Sequence, residues 1–256
     1  MLAKDEGGFV LLEDFADPDR PVIAGSLDVP SVRRGLAGPT VAQQQFFFID
    51  ACAVRPEVAR TMQALRGGVG LDEPAEAPPS VAPIYTSAAP GTLALGTPGM
   101  GTLFSQALIE CLDGLASSPD RSGQWVVTDT SLVGPLRDRV MELAGQHDEQ
   151  QVATAGGTLG HVVLHRLSAG PELEVSLSVE PAEAAPFCFA RLNDGDGGTI
   201  VERSPLQEPL VKTVPAGLYT VDVVIDPPDS GPPYVAKQKA LFLQPPSPTP
   251  VVVSVS

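Results

Sequence analysis

At 256 residues the chain is long enough for one large domain or two small ones, and with 43% hydrophobic and 18% charged residues it buries a substantial core. Its 31 acidic against 16 basic residues leave a net charge of -15, which argues against nucleic acid or an anionic membrane as partner, since both require a basic surface. Three cysteines make no disulfide framework, no stretch reaches the roughly 18 apolar residues of a membrane span, and the first residues lack the apolar run of a signal peptide; the expectation is a protein of the reducing cytoplasm.

In chain order, residues 9–12 read as a short strand and 14–21 as a loop. Residues 26–36 read as a turn and short helix stopped by Gly38 and Pro39. Phe46-Phe47-Phe48-Ile49 is a bulky apolar run that predicts a strand buried on both faces, as in a parallel sheet. A helix is expected over 56–65, with Pro56 in its first turn and Gly67 and Gly68 ending it. Residues 72–83, rich in Pro, Ala and Glu, read as an exposed linker open to proteolysis. A second strand follows at 84–88. Over 102–115, Leu103, Phe104, Ala107, Leu108, Cys111, Leu112 and Leu115 recur at helical spacing, which makes Cys111 a core residue. Residues 124–128 read as extended, 131–143 as an amphipathic helix capped by Thr130 or Ser131, and 162–164 as a strand entered through Gly156 and Gly157.

From Glu172 the helical period disappears. Residues 173–179 alternate strictly, and strand candidates recur at 187–192, 199–202, 210–214, 218–225, 235–243 and 251–255. This is the texture of a β-sandwich. Residues 193–198 lack the ligand spacing of a calcium loop and read as a hairpin turn. Two domains are therefore expected: an α/β domain over 1–170 and an all-β sandwich over 171–256. No cofactor or metal is indicated.

The apolar run 46–49 stops at Asp50-Ala51-Cys52, which would leave a carboxylate and a thiol on one rim at the carboxyl end of a strand. Read alone, Cys52 fits the commoner pattern of a small buried hydrophobe, and Asp50 that of a cap or turn residue. Phe47-Phe48-Ile49-Asp50-Ala51-Cys52 resembles the nucleophile strand of the caspase-like cysteine peptidases, whose orthocaspase and metacaspase members carry an Asp two residues before the Cys. Tyr85-Thr86-Ser87-Ala88-Ala89-Pro90-Gly91 resembles the substrate-binding strand of that family, and Gly101-Thr102-Leu103-Phe104-Ser105-Gln106-Ala107-Leu108 the helix after it.

The resemblance, which covers residues 8–167, implies a partial caspase-like fold: a mostly parallel sheet with flanking helices. It implies Cys52 as the nucleophile that attacks a peptide carbonyl, with its own N–H on the oxyanion. Asp50 would line the pocket for the residue before the scissile bond and favour Arg or Lys. Ser87 would lie where backbone groups pair with an extended peptide; its hydroxyl has the simpler reading of satisfying a local backbone group. Where Asp-cutting caspases bear an Arg on the substrate strand, this chain has Leu93-Ala94-Leu95-Gly96.

The family places its catalytic His in a His-Gly pair upstream of the Cys, whereas His147, His161 and His165 all follow Cys52 and none precedes a Gly. The expected partners are accordingly a basic peptide or protein substrate and a segment or second polypeptide that supplies the His-bearing half of the sheet. The alternative is an inactive caspase-like and β-sandwich module that binds proteins.

Overall fold

In the computed structural model, the described residues are 2–4, 7–11, 19, 25–53, 71, 72, 74, 75, 80–225, 235–246 and 249–255. The helix expected over 56–65, the loop over 14–21 apart from Asp19, and residues 73 and 76–79 of the linker over 72–83 lie outside them. The chain is mixed α/β, with more strands than helices. It divides into two units: residues 1–112 with 128–165, and residues 113–127 with 166–256.

The first unit begins with an antiparallel sheet of β1 (Leu2–Lys4), β2 (Gly7–Leu11) and β3 (Ser26–Asp28), in that order. Asp28 then caps α1 (Val29–Gly35): its carboxylate accepts the Ser31 N–H at 3.1 Å, and Pro30 in the first turn gives up no hydrogen bond.

A second sheet has the order β10-β5-β4, from Thr154–Thr158, Ala82–Thr86 and Phe47–Ile49. β4 runs parallel to β5, with Phe47 opposite Ile84 and Ile49 opposite Thr86. β10 runs antiparallel to β5, from Thr154 opposite Thr86 to Thr158 opposite Ala82. The sheet is thus mixed where a mostly parallel one was expected.

The doubly buried strand is β5, all five of whose residues are buried, and not the Phe run. β4 carries a neighbour on one edge only among the described residues, and Phe48 is 40% exposed, its ring stacked on Tyr85 at 5.0 Å. Aromatic bulk predicted burial; position at the rim of the sheet decided against it. Val81, Ala82 and Pro83 also depart from the exposed linker expected there: Val81 is half-buried and bridges to Gln44, and Ala82 and Pro83 open β5. Pro83 reads as a break because it donates no hydrogen bond. It is accommodated opposite Gly157 (φ 80°), where a Cβ would come within 2.3 Å of the Ala82 carbonyl oxygen.

Two helices complete this unit. α2 (Leu103–Glu110) buries Leu103, Phe104 and Ala107, and over Cys111–Leu115 the chain kinks at Gly114, whose φ of 136° is non-helical. α3 (Asp129–Gly145) buries Leu132, Leu136, Val140 and Leu143 and packs against α2. Arg139 of α3 pairs with Glu110 of α2 and, at 2.8 Å, with Glu142. The cap of α3 is Thr128, upstream of the expected Thr130 or Ser131. Its hydroxyl accepts the Ser131 N–H at 3.0 Å while the Ser131 hydroxyl accepts the Thr128 N–H at 2.9 Å.

The second unit holds a sheet of order β15-β12-β18 (Leu210–Pro215, Glu172–Glu180, Thr249–Ser254) and one of order β14-β13-β16-β17 (Thr199–Arg203, Cys188–Asp194, Gly217–Ile225, Lys237–Leu243). The alternation over 173–179 appears as expected: Leu173, Val175, Leu177 and Val179 are buried. One core cluster joins these to Ala190 and Leu192 of β13, Val221 and Val223 of β16, and Val251 and Val253 of β18. Residues 193–198 form a turn in which the Asp194 carboxylate accepts the N–H groups of Asp196 (3.0 Å) and Gly198 (2.7 Å). Residues 113–127 add the antiparallel pair β8 (Ser118–Pro119) and β9 (Trp125–Thr128), and Trp125 stacks on Phe242 with ring centroids 6.4 Å apart. Val163–Arg166 (β11) is the last strand before the chain enters β12.

Candidate functional site

Parallel pairing of β4 with β5 brings the carboxyl ends of both strands to one rim. The ladder continues one step past the strands, since the Ser87 N–H donates to the Ile49 carbonyl at 2.9 Å. Beyond it the chain turns over a set of small residues. Ala53 and Ala88 are fully buried, with Ile49 and Ala94 against them. The Ala53 N–H donates to Thr92 O at 3.0 Å, and its carbonyl accepts the Gly91 N–H at 2.7 Å. Alanines at these positions let the segment 50–53 lie directly against the segment 88–94.

Cys52 is half-buried within this packing, whereas Cys111 and Cys188 are buried. Its sulfur accepts the Ala94 N–H at 3.4 Å, and the thiol donates to the Ala94 carbonyl at 3.7 Å. The segment Leu93-Ala94-Leu95 therefore lies against the thiol through Ala94.

Asp50 takes a different direction from the same rim. A two-stranded ribbon, β6 (Gly96–Thr97) with β7 (Gly101–Thr102), leads into α2. Thr102 is the cap of that helix: its hydroxyl oxygen accepts the Ser105 N–H at 3.1 Å and donates its proton to Asp50 Oδ2. The Ser105 hydroxyl donates to the same oxygen at 2.8 Å. Asp50 thus sits over the first turn of α2, where the helix dipole favours a negative charge. Among the described residues nothing donates to Oδ1, and the residue is exposed. Asp50 and Cys52 both follow the carboxyl end of β4, and each is held by its own partners.

Ser87 is fully buried. Its hydroxyl accepts the Ala51 N–H at 3.0 Å and donates to the Ala51 carbonyl at 3.1 Å. Its backbone is engaged too: the N–H with Ile49 and the carbonyl with the Gln151 side chain at 2.7 Å. Ser87 therefore braces the residue between Asp50 and Cys52 from inside the unit. Gln151, which sequence reasoning missed, is 1% exposed, and its Oε1 accepts the Leu95 N–H at 2.7 Å. The signal that would have found it is weak: an amide among the polar residues that follow α3.

The histidines lie elsewhere. His147 is exposed in the turn after α3. His161 (φ 57°) sits beyond Thr158, which pairs with Ala82, the first residue of β5, while Cys52 lies past the other end of the sheet. Its Nδ1 is 2.8 Å from the Thr130 hydroxyl. The loop that carries it is anchored by Asp129, fully buried, whose carboxylate accepts the N–H groups of Gly160 and Val162, both at 2.7 Å. His165 lies within β11.

Burial pushes the Cys111 thiol up to about 12, with the neighbouring Glu110 carboxylate adding to the effect and Arg139 opposing it. Burial raises the Cys188 thiol as well. Both are the protonated, inert kind of cysteine. Among the described residues no group of three or more His, Cys, Asp or Glu is placed to hold a metal, and no helix is long and apolar enough to cross a membrane. No protein-family model matches this sequence, and no curated protein matches it.

Proposed function

We propose that this chain carries the nucleophile-bearing part of a caspase-like cysteine endopeptidase that cleaves after Arg or Lys, with a β-sandwich as accessory domain. In this reading Cys52 attacks the scissile carbonyl, its own N–H helps to hold the oxyanion, and Asp50 receives the basic side chain. The observation that carries the reading is the state of Asp50. Two hydroxyls fix Oδ2 against α2, while Oδ1 takes no donor among the described residues, so the carboxylate is held in place with one oxygen left for a guanidinium or ammonium group.

His161 lies toward the opposite end of β5 from Cys52, across a five-residue strand that spans on the order of 13 Å. The reading therefore assigns the base to a histidine on a strand that adds to the second edge of β4. Among the described residues β4 ends the sheet, and the backbone groups of its outer edge are what an added strand would pair with.

The test is release of a fluorophore from Arg-, Lys- and Asp-terminated peptide amides by the protein isolated from its natural source, beside the Cys52→Ala variant. Turnover after Arg or Lys that vanishes in the variant supports the peptidase. Absence of turnover, or turnover that survives the substitution, overturns it. The position of His161 favours one rival, a non-catalytic protein-binding module, and the absence of turnover would point to it.

A further inference from the structure

We propose that Gln151 is a positioning residue for the Cys52 thiol, fixing both the segment that contacts the sulfur and the serine that braces the residue before it; the inference rests on the reading of Cys52 as the reacting group. An amide buried to 1% exposure is costly unless both of its ends are paired, and a residue with only a packing role would be apolar. Gln151 spends its two ends on two separate backbone segments of the same rim. Nε2 donates to the Ser87 carbonyl and Oε1 accepts the Leu95 N–H, both at 2.7 Å.

Each segment leads directly to the sulfur. Ser87 holds Ala51, the residue before Cys52, through its hydroxyl. Leu95 follows Ala94, whose N–H and carbonyl both contact the sulfur. The Leu95 carbonyl is tied down as well, accepting the Leu103 N–H at 2.9 Å at the start of α2. With Gln151 in place, Leu95 is pinned through both of its backbone groups, and Ala94 beside it is held against the thiol. Without it, the Leu95 N–H and the buried Ser87 carbonyl both lose their partner, and the segment gains the freedom to leave the sulfur.

Gln151→Glu keeps length and the acceptor for Leu95 but sets a carboxylate oxygen against the Ser87 carbonyl. Gln151→Met keeps volume and loses both bonds. The measurement is the rate of iodoacetamide modification of each of the three cysteines in the native protein, followed by peptide mass mapping. Cys52 is expected to react about tenfold faster in both variants, as when a hydrogen bond that closes a local opening is lost, with Cys111 and Cys188 unchanged. A merely structural role would release Cys111, buried in the same unit, together with Cys52, and that result, or an unchanged Cys52 rate, overturns the proposal. Amide exchange of the unmodified chain gives a second test that needs no variant. The Leu95 N–H is expected to exchange more slowly than that of its exposed neighbour Leu93 (54% exposed), and equal rates overturn the clamp. Selective acceleration at Cys52 without Arg-peptide turnover leaves the positioning role standing and removes the peptidase reading.

Discussion

The Ser87 hydroxyl closes both hydrogen-bonding groups of one residue, Ala51, accepting from its N–H at 3.0 Å and donating to its carbonyl at 3.1 Å. A side chain at the end of one strand thereby replaces the partner that Ala51 would have had if β4 continued. The strand ends at Ile49, and the two residues that the sequence singles out, Asp50 and Cys52, flank the braced one.

Ser87→Ala removes both bonds and leaves two polar backbone groups without a partner. A loss of about 1–3 kcal/mol is expected, read as a lower urea midpoint with unchanged slope. Ser87→Cys, with a weaker donor and acceptor of similar size, is expected to fall between the two. An Ala variant as stable as the parent removes the brace from this account.

If Asp50 receives a basic side chain, Asp50→Ala reduces kcat/KM for an Arg-peptide at least about tenfold, or about 1.4 kcal/mol, chiefly through KM. Thr102→Val removes one of the two hydroxyls that hold the carboxylate and is expected to have a smaller effect in the same direction. Steady-state kinetics of both variants check this. An Asp50→Ala enzyme with unaltered preference for Arg over uncharged residues assigns the carboxylate a local capping role only.

Asp129 is fully buried and its carboxylate accepts three N–H groups, from Thr130 at 2.9 Å and from Gly160 and Val162 at 2.7 Å. Asp129→Asn turns one acceptor into a donor facing donors. A loss of about 2–3 kcal/mol is expected by chemical denaturation, with the amide resonances of Gly160 and Val162 the most displaced. Tyr85→Phe, which removes only the bond from the phenol to the Asp129 carbonyl at 2.7 Å, is expected to cost about 1 kcal/mol.

The buried Cys111 thiol sets an alkaline limit on stability. Above the ordinary value near 9 the unfolded chain releases this proton, while the folded chain holds it up to about 12. The unfolded state then binds fewer protons, so stability falls as pH rises through that window, by up to about 1.4 kcal/mol per pH unit for this group, and gains no slope from it below pH 9. Burial raises the Tyr85 phenol too, which steepens the decline above pH 10. Urea midpoints from pH 8 to 11 are expected to converge between the parent and Cys111→Ala as pH increases; parallel curves overturn the assignment.

Much of the secondary structure was legible because it follows from local period. The alternation over 173–179 names the buried face of β12, and the helical spacing from Leu103 to Cys111 names that of α2. Local chemistry also made the turn at 193–198 readable. Pro83 hid the start of β5, because its tolerance depends on Gly157, a residue distant in sequence. Residues 113–127 lie between two helices in sequence yet cluster with the second unit, and no periodic signal marks such an exchange.

By itself the sequence determined a mixed α/β chain with two textures, the end of β4 as the place where a carboxylate and a thiol emerge, and the acidic character of the whole. Periodicity and composition act over neighbouring residues, and those features need nothing more. Tertiary structure alone decided that β5 and not the Phe run is the buried strand. It also decided that Ser87 braces Ala51, that α2 holds Asp50 through Thr102 and Ser105, and that Gln151 joins Ser87 to Leu95. Each of these is a hydrogen bond or contact between residues some 36 to 64 positions apart, or the burial that such contacts produce. Which distant groups meet is set by strand order and loop path, not by any pattern along the chain.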